Sequence, residues 1–269
     1  IGKAKNWALY RSRFVEPIRI NAGVQFWQAN AETLARAEAE YGVPAEIIVA
    51  IIGVETIFGR NTGNFRVMDV VTTLAFSYPD TPKRAERSAF FRGELENALI
   101  LAHENGIDPF SMRGSYAGAI GLPQFMPSSI RNFGVDYDGD GKIDLRNSAI
   151  DAIGSVAHFL QQHGWRKNEP LAFAATVTQS DNPPWAIFLE QGLEAKYSLQ
   201  EIRQAGIGVA ADVPENLQYG LVDLQNGNSP TEYWLGTNNF FAITRYNRSY
   251  FYAMSVIELG QAIKNAKKR

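Results

Sequence analysis

Pro44-Ala-Glu-Ile-Ile-Val-Ala-Ile-Ile-Gly-Val-Glu-Thr-Ile-Phe-Gly-Arg60 is apolar or glycine at every position from Ile47 to Val54, which predicts an element wet on neither side. A buried strand would also read this way, but the length of the run and the helix formers Ala45, Glu46 and Ala50 favour a helix enclosed by other elements. Pro44 suits the first turn, where its missing N–H costs nothing, and Gly59 is expected to close the helix in the left-handed conformation. One acid, Glu55, stands at the end of the run. Its helical neighbours would be Ile51, Ile52, Phe58 and Gly59, none of which can neutralise a carboxylate. Desolvation without a cationic partner favours the protonated acid, which is what a general acid requires. Two other readings compete: a solvated acid near a helix end, and a buried acid hydrogen-bonded for structural reasons.

The rest of the chain narrows the choice. Its 269 residues can bury a large core, as one lobed domain or as two. Hydrophobic content of 45% and charged content of 20% are ordinary for a folded protein, and a formal net charge of −2 gives no broad field for nucleic acid, which is not an expected partner. The absence of cysteine removes disulfides, thiolate metal sites and cysteine nucleophiles together. No apolar run approaches the roughly 20 residues of a membrane span. The chain opens at Ile1 rather than Met, which leaves room for an upstream leader or anchor.

Residues 1–42 read as helices, with Trp7, Tyr10, Phe14 and Ile18 as a core stripe, an Asn30 cap and Gly42 as a stop. Helical spacing resumes at 69–78, 84–105 and about 148–163. From about 171 the texture changes to turns and short strands, expected at 209–219, 220–224 and 233–235. Helical spacing returns at 249–268. The organisation is mostly α, with one mixed lobe before a closing helix.

Three further stretches can carry chemistry. In Asp136-Tyr-Asp-Gly-Asp-Gly-Lys-Ile-Asp144, oxygens at Asp136, Asp138 and Asp140 alternate, Gly141 turns the chain and the Lys142 carbonyl follows, as in the first half of an EF-hand calcium loop. Asn147 stands where the closing bidentate Glu belongs, and Asp151 on the next helix is a substitute that implies a longer loop. A solvated acidic turn is the alternative. Gly114 to Ser129 combines small residues with the neutral groups Ser115 and Gln124, suited to hydroxyls and amides or to tight helix packing. Asn238 to Tyr252 gathers Tyr, Asn and Arg, the stacking faces and donors that a saccharide groove uses, although an aromatic helix start reads the same. The three histidines lack zinc spacing, and phosphate-binding loops and Gly-x-Ser-x-Gly elbows are absent.

Taken in order, Gly53-Val-Glu-Thr56 with Phe58-Gly-Arg60, Ala117-Gly-Ala119 with Gln124-Phe-Met-Pro-Ser-Ser129, the Asp136–Asp144 loop, and Asn238-Asn-Phe240 with Ile243-Thr-Arg-Tyr-Asn247 resemble the MltB family of lytic murein transglycosylases. The resemblance implies a mainly α (α+β) fold, with a lysozyme-like core flanked by a helical domain and a smaller β-containing domain. On this chain that layout gives a helical part at 1–45, a core at 46–170 with its calcium loop at 136–151, a mixed lobe at 171–239 and a C-terminal return at 240–269. It implies cleavage of the β-1,4 MurNAc–GlcNAc bond of peptidoglycan without hydrolysis, leaving a 1,6-anhydroMurNAc end. The family's catalytic glutamate falls on Glu55 and its groove residues on Tyr10, Ser115, Gln124, Tyr246, Asn247 and Tyr252. Leu122-Pro123 departs from the aromatic and glycine of some members. Structural calcium on Asp136, Asp138, Asp140, Lys142 and Asp151 is expected, with no organic cofactor. Peptidoglycan strands and other cell-wall enzymes are the expected partners, and the periplasm the expected location, with the protein soluble or lipid-anchored. A hydrolytic muramidase and a non-catalytic, calcium-stabilised wall-binding protein are the alternatives. Ordinary glycosidases need two carboxylates. Asp69 and Glu94 do not pair convincingly with Glu55, and a lytic mechanism needs only one acid.

Overall fold

Ile47 to Val54 form the buried centre of a helix, not a strand. The computed structural model describes residues 4–190 and 192–269. Along the chain run α1 (Trp7–Phe14), α2 (Pro17–Ala29), α3 (Ala31–Tyr41), α4 (Ala45–Thr56), β1 (Phe65–Arg66), α5 (Val67–Phe76), α6 (Arg84–Glu104) and β2 (Arg113–Gly114). Then follow α7 (Pro127–Phe133), α8 (Ala149–Gln162), β3 (Ala172–Val177), β4 (Tyr197–Ser198), α9 (Leu199–Gln204), β5 (Ile207–Val209), β6 (Gln218–Asn226), β7 (Ser229–Gly236), α10 (Asn238–Ile243) and α11 (Tyr250–Lys267). Contacts divide the chain into two units, Asn21–Phe159 and Ile1–Ile20 with Leu160–Arg269.

In the unit Asn21–Phe159, α4 lies at the core because all its residues from Ile47 to Val54 are apolar or glycine and buried. The Glu38 carboxylate accepts from the Ala45 backbone N–H at 2.9 Å, joining the end of α3 to the first turn of α4. Gly42 closes α3 at φ 74° as expected, but Asn30 does not cap it. The Asn30 amide instead donates back to the Phe26 carbonyl at 2.9 Å, a local bond that competes with capping. α5 and α6 pack on each other, and α6 on α7. The strands β1 and β2 form a small antiparallel pair, with Phe65 opposite Gly114.

The other unit holds a five-stranded antiparallel sheet ordered β4-β6-β7-β3-β5. One face buries Trp185, Leu199, Ile202, Ile207, Tyr219, Leu221 and Leu235. Ser198 and Glu201 form a reciprocal capping box at the start of α9. The strand expected over 209–219 is absent. β5 ends at Val209, Val213 drops into the core, and Pro214, which cannot donate to a ladder, precedes the next strand. Trp7, Tyr10 and Phe14 pack as a stripe, with Phe251 against Trp7 and Tyr10. Ile18 does not join them and is 59% exposed, because α1 stops at Phe14 and a new helix restarts the phase at Pro17. Among the described residues no helix is long and apolar enough to cross a membrane.

Candidate active site

Glu55 is half-buried on the last turn of α4, one turn beyond the fully buried Ile51 and Ile52. The helix ends one residue later than Glu55, not at Gly59. Ile57 (φ 51°), Phe58 (φ 56°) and Gly59 (φ 88°) are all left-handed, so Phe58 and Gly59 are not on the helical face of Glu55. Left-handed backbone at a β-branched residue is costly and persists only when its surroundings impose it. Thr56 supplies that constraint. Its side chain is fully buried, its Oγ1 donates to the Leu122 carbonyl at 2.8 Å and accepts from the Gly59 N–H at 3.0 Å. One hydroxyl thus clamps the turn after Glu55 to the loop that carries Gln124.

That loop is close-packed. A Cβ on Gly121, itself at φ 76°, would lie 2.2 Å from the Leu145 carbonyl oxygen, and Leu122 N–H donates to that same carbonyl at 2.8 Å. Gln124 is left-handed at φ 53°. Its Nε2 donates to the carbonyls of Gly121 at 3.0 Å and Thr62 at 3.3 Å, which fixes the amide orientation and leaves Oε1 as an acceptor. Ser115 is the complement. Its Oγ accepts from the N–H groups of Ala119 (3.0 Å) and Ala117 (3.2 Å), so the hydroxyl proton remains to be donated. One oriented donor and one oriented acceptor match the C=O and N–H of an amide.

The two acids that sequence offered as partners for Glu55 have other occupations. Both Glu94 oxygens accept from Ser128, one from its backbone N–H at 2.9 Å and one from its hydroxyl, so this buried carboxylate caps the start of α7. Asp69 is exposed and faces Arg66 at 3.7 Å.

In the acidic loop, oxygens of Asp136, Asp138 and Asp151 lie within 4.8 Å of one another. Asp140 stands outside this trio, with its Oδ1 accepting from Lys142 N–H at 2.9 Å. Asp136 accepts from the N–H groups of Gly139, Asp140 and Gly141, and so winds the loop about itself. Asp151 accepts from Tyr137, Asp138 and Asp144 N–H groups. Its burial holds its pKa above the usual carboxylate range, and those three N–H bonds offset only part of that rise. Asp144 and Asn147 are tied to each other instead, Asn147 Nδ2 donating to Asp144 at 2.9 Å. Three converging carboxylates of hard oxygen fit a calcium ion in donor chemistry.

Tyr10, Tyr246, Asn247 and Tyr252 belong to the other unit. There the Tyr246 and Tyr252 rings stack at 6.2 Å and 11°, Tyr252 is buried, Asn247 is exposed, and Tyr10 packs on Trp7 and Phe251.

Residues 2–261 match the model of the transglycosylase SLT domain. The chain is 42% identical over 261 residues to membrane-bound lytic murein transglycosylase B of Escherichia coli K12, covering 97% of this chain and 68% of that protein. The chain belongs to the SLT transglycosylase family. Soluble lytic transglycosylase SltB1 of Pseudomonas aeruginosa superposes with a TM-score of 0.90 at 47% identity, covering 100% of this chain and 86% of SltB1. Escherichia coli Slt35, solved in complex with calcium, gives 0.86 at 41% identity, covering 98% and 80% of the two chains. Pseudomonas aeruginosa SltB3, solved with NAG-anhNAM-pentapeptide, gives 0.81 at 28%, covering 98% and 68%.

The protein is therefore a lytic transglycosylase of the MltB and SltB type that acts on peptidoglycan. Sequence reading of this transglycosylase missed two residues. Thr56 stood beside Glu55 in the quoted motif, yet nothing in its type told that its hydroxyl would find the Leu122 carbonyl 66 residues away. Tyr137 reads as filler in an acidic loop. Its hydroxyl donates to Glu40 at 2.8 Å, its ring lies 3.6 Å under the Arg36 guanidinium, and its carbonyl accepts from Arg36 at 2.5 Å. A Cβ on Gly154 would come 2.4 Å from that ring, which is why glycine interrupts α8 there.

Proposed function

We propose that Glu55 is the single proton-transferring residue of a non-hydrolytic cleavage of the β-1,4 MurNAc–GlcNAc bond. Glu55 protonates the leaving glycosidic oxygen, and the C1–O bond breaks. The 2-acetamido oxygen of MurNAc closes on C1 to form an oxazolinium. Glu55, now a carboxylate, takes the proton of the C6 hydroxyl as O6 displaces the acetamido oxygen, leaving 1,6-anhydroMurNAc and a regenerated acid. The observation that carries this reading is that Ser115 is left a donor and Gln124 an acceptor in the unit that holds Glu55. Accepting the acetamido N–H at Gln124 makes the amide oxygen a better nucleophile, and donating from Ser115 orients that oxygen before attack. Tyr10, Tyr246, Asn247 and Tyr252 are glycan-binding groove residues in this reading. The occupations of Glu94 and Asp69 support a one-acid route.

The calcium of the Slt35 complex extends to this chain as a structural ion held by Asp136, Asp138 and Asp151, with the Asp140 carboxylate and the Lys142 carbonyl as further ligands. When bound, the ion supplies charge neutralisation for the acidic loop, which ends at the Leu145 carbonyl on which the Gln124 loop rests. A lysozyme-like core and a periplasmic location, where the substrate lies, complete the reading.

Mass analysis of sacculus digests tests it. The parent releases ends one water lighter than hydrolysed ends, and Glu55→Gln loses at least about 10²-fold in rate, the scale of general acid catalysis. Products carrying a hydrolysed reducing end would make the protein a muramidase instead, and unchanged turnover in the variant would remove Glu55 from the chemistry.

A further inference from the structure

We infer that the open face of the five-stranded sheet is a second glycan-binding surface, distant in sequence from Glu55, that takes the neutral GlcNAc units of the polymer. The inference rests on the peptidoglycan reading above for the identity of its ligand.

The two faces of this sheet differ. The inner face is a filled core. On the outer face, Val222 and Leu224 of β6 are fully buried, and α1 and α11 pack on that strand. On β7, α10 covers only the Gly236 end, through Phe240 and Phe241, and the cover stops there. Register places Ala174 of β3 beside Trp234 of β7, and Thr176 of β3 beside Gly208 of β5. Ala174, Thr176 and Gly208 are all exposed, and all are small. Ala174 and Gly208 are poor choices for an isolated strand surface, where β-branched and aromatic side chains pack better. Here they leave a hollow of about 420 Å³ beside the Trp234 indole, lined also by Gln179, Thr231 and Glu232.

Trp234 is half-buried, and its Nε1 points along the strand to the Glu232 carboxylate at 3.5 Å, two residues away on the same face. The ring is therefore held along β7 next to open, small-residue strand surface. A pyranose offers an apolar C–H face for such a ring and a rim of hydroxyl and acetamido N–H donors. Glu232, Gln179 and Thr176 are the acceptors and hydroxyls that a sugar rim needs. Charge selects among the parts of the polymer. The hollow carries one carboxylate and is lined by no lysine or arginine, so it repels an acidic peptide stem or a free lactyl carboxylate of MurNAc and suits the neutral GlcNAc units.

The test separates polymer from short substrate. Trp234→Ala removes the ring. Ala174→Glu blocks the hollow from an exposed position without touching a packed side chain, so it keeps the test valid if the tryptophan variant folds poorly. Both are assayed by circular dichroism, by turnover of purified sacculi, and by turnover of a soluble GlcNAc–MurNAc tetrasaccharide. A stacking contact of this kind should raise the KM for sacculi about tenfold in either folded variant, leaving kcat/KM on the tetrasaccharide unchanged. In a Glu55→Gln background the same substitutions should weaken co-sedimentation with sacculi, a readout that stands even if the parent turns over neither substrate. Parent-like sacculus KM and co-sedimentation in folded Ala174→Glu protein would overturn the inference, as would equal losses on polymer and tetrasaccharide. Dissociation of a parent dimer by the substitutions, with sacculus binding unchanged, would also overturn it and give the face to a second copy of the chain.

Discussion

Replacing Thr56 by Val removes one oxygen and keeps the shape of the side chain, so its effect isolates the clamp behind Glu55. The hydroxyl makes two short bonds, to the Leu122 carbonyl at 2.8 Å and from the Gly59 N–H at 3.0 Å, at a site with no solvent exposure. A buried backbone group left without its partner costs about 1–3 kcal/mol. Gly59 is half-buried and can recover part of its loss from water, so the total should be about 2–3 kcal/mol. In a chain of this size that corresponds to a fall in Tm of about 4–12 °C. The same loss frees the left-handed turn at Ile57 and Phe58, whose strain the clamp opposes. In the proposed mechanism Glu55 then loses its fixed approach to the glycosidic oxygen, and misplacement by about 1 Å can cost about 10²-fold. Steady-state kinetics on sacculi should show kcat falling by at least about tenfold with KM nearly unchanged. Thr56→Ser keeps the hydroxyl and should restore most of kcat. A valine variant that melts and turns over like the serine variant would refute the clamp.

Two other outcomes follow from the acidic loop and its neighbours. Chelation should lower Tm, and calcium at about 100 times its Kd should restore about 2.7 kcal/mol of stability. Asp151→Asn should abolish that response, and an unchanged melt with metal removal verified by elemental analysis would count against a structural ion. The Tyr41 phenol is pushed up to about 12 from its ordinary value of 10.0, first by burial and then by the Glu40 carboxylate. The folded chain therefore holds this proton more tightly than the unfolded chain, so stability is insensitive to this group below about pH 10 and falls from there to about pH 12. Melting curves across that window should fall less steeply in Tyr41→Phe, and coincident curves would show that Tyr41 does not contribute.

The legible parts of this chain were those where one segment determines its own environment. The run Ile47 to Val54 could only be buried, and Gly42 and Ser249 announce helix ends through local chemistry. The capping box of Ser198 and Glu201 was as local, but it went unread in a stretch taken for turns and strands. Local rules failed where a distant group intervened. Gly59 was the better left-handed residue, yet Ile57 and Phe58 adopt that conformation because the Thr56 hydroxyl is held by Leu122 from another loop. Asn30 had the right side chain for a cap and spent it on Phe26.

The candidate site divides the same way. Residue types at Glu55, Ser115 and Gln124 were legible, but their roles were not, because a hydroxyl or an amide can donate or accept. Only the backbone around them decides. Ala117 and Ala119 consume the lone pairs of Ser115, and Gly121 with Thr62 consumes the protons of Gln124. What remains is one donor and one acceptor, the pattern that matches an acetamido group. A hydrolytic site would instead need a second carboxylate to hold a water molecule. Of the two acids offered for the task, Glu94 is committed to Ser128, and Asp69 sits in solvent beside Arg66. In the proposed mechanism, the anhydro product follows from what the backbone has already taken from these side chains.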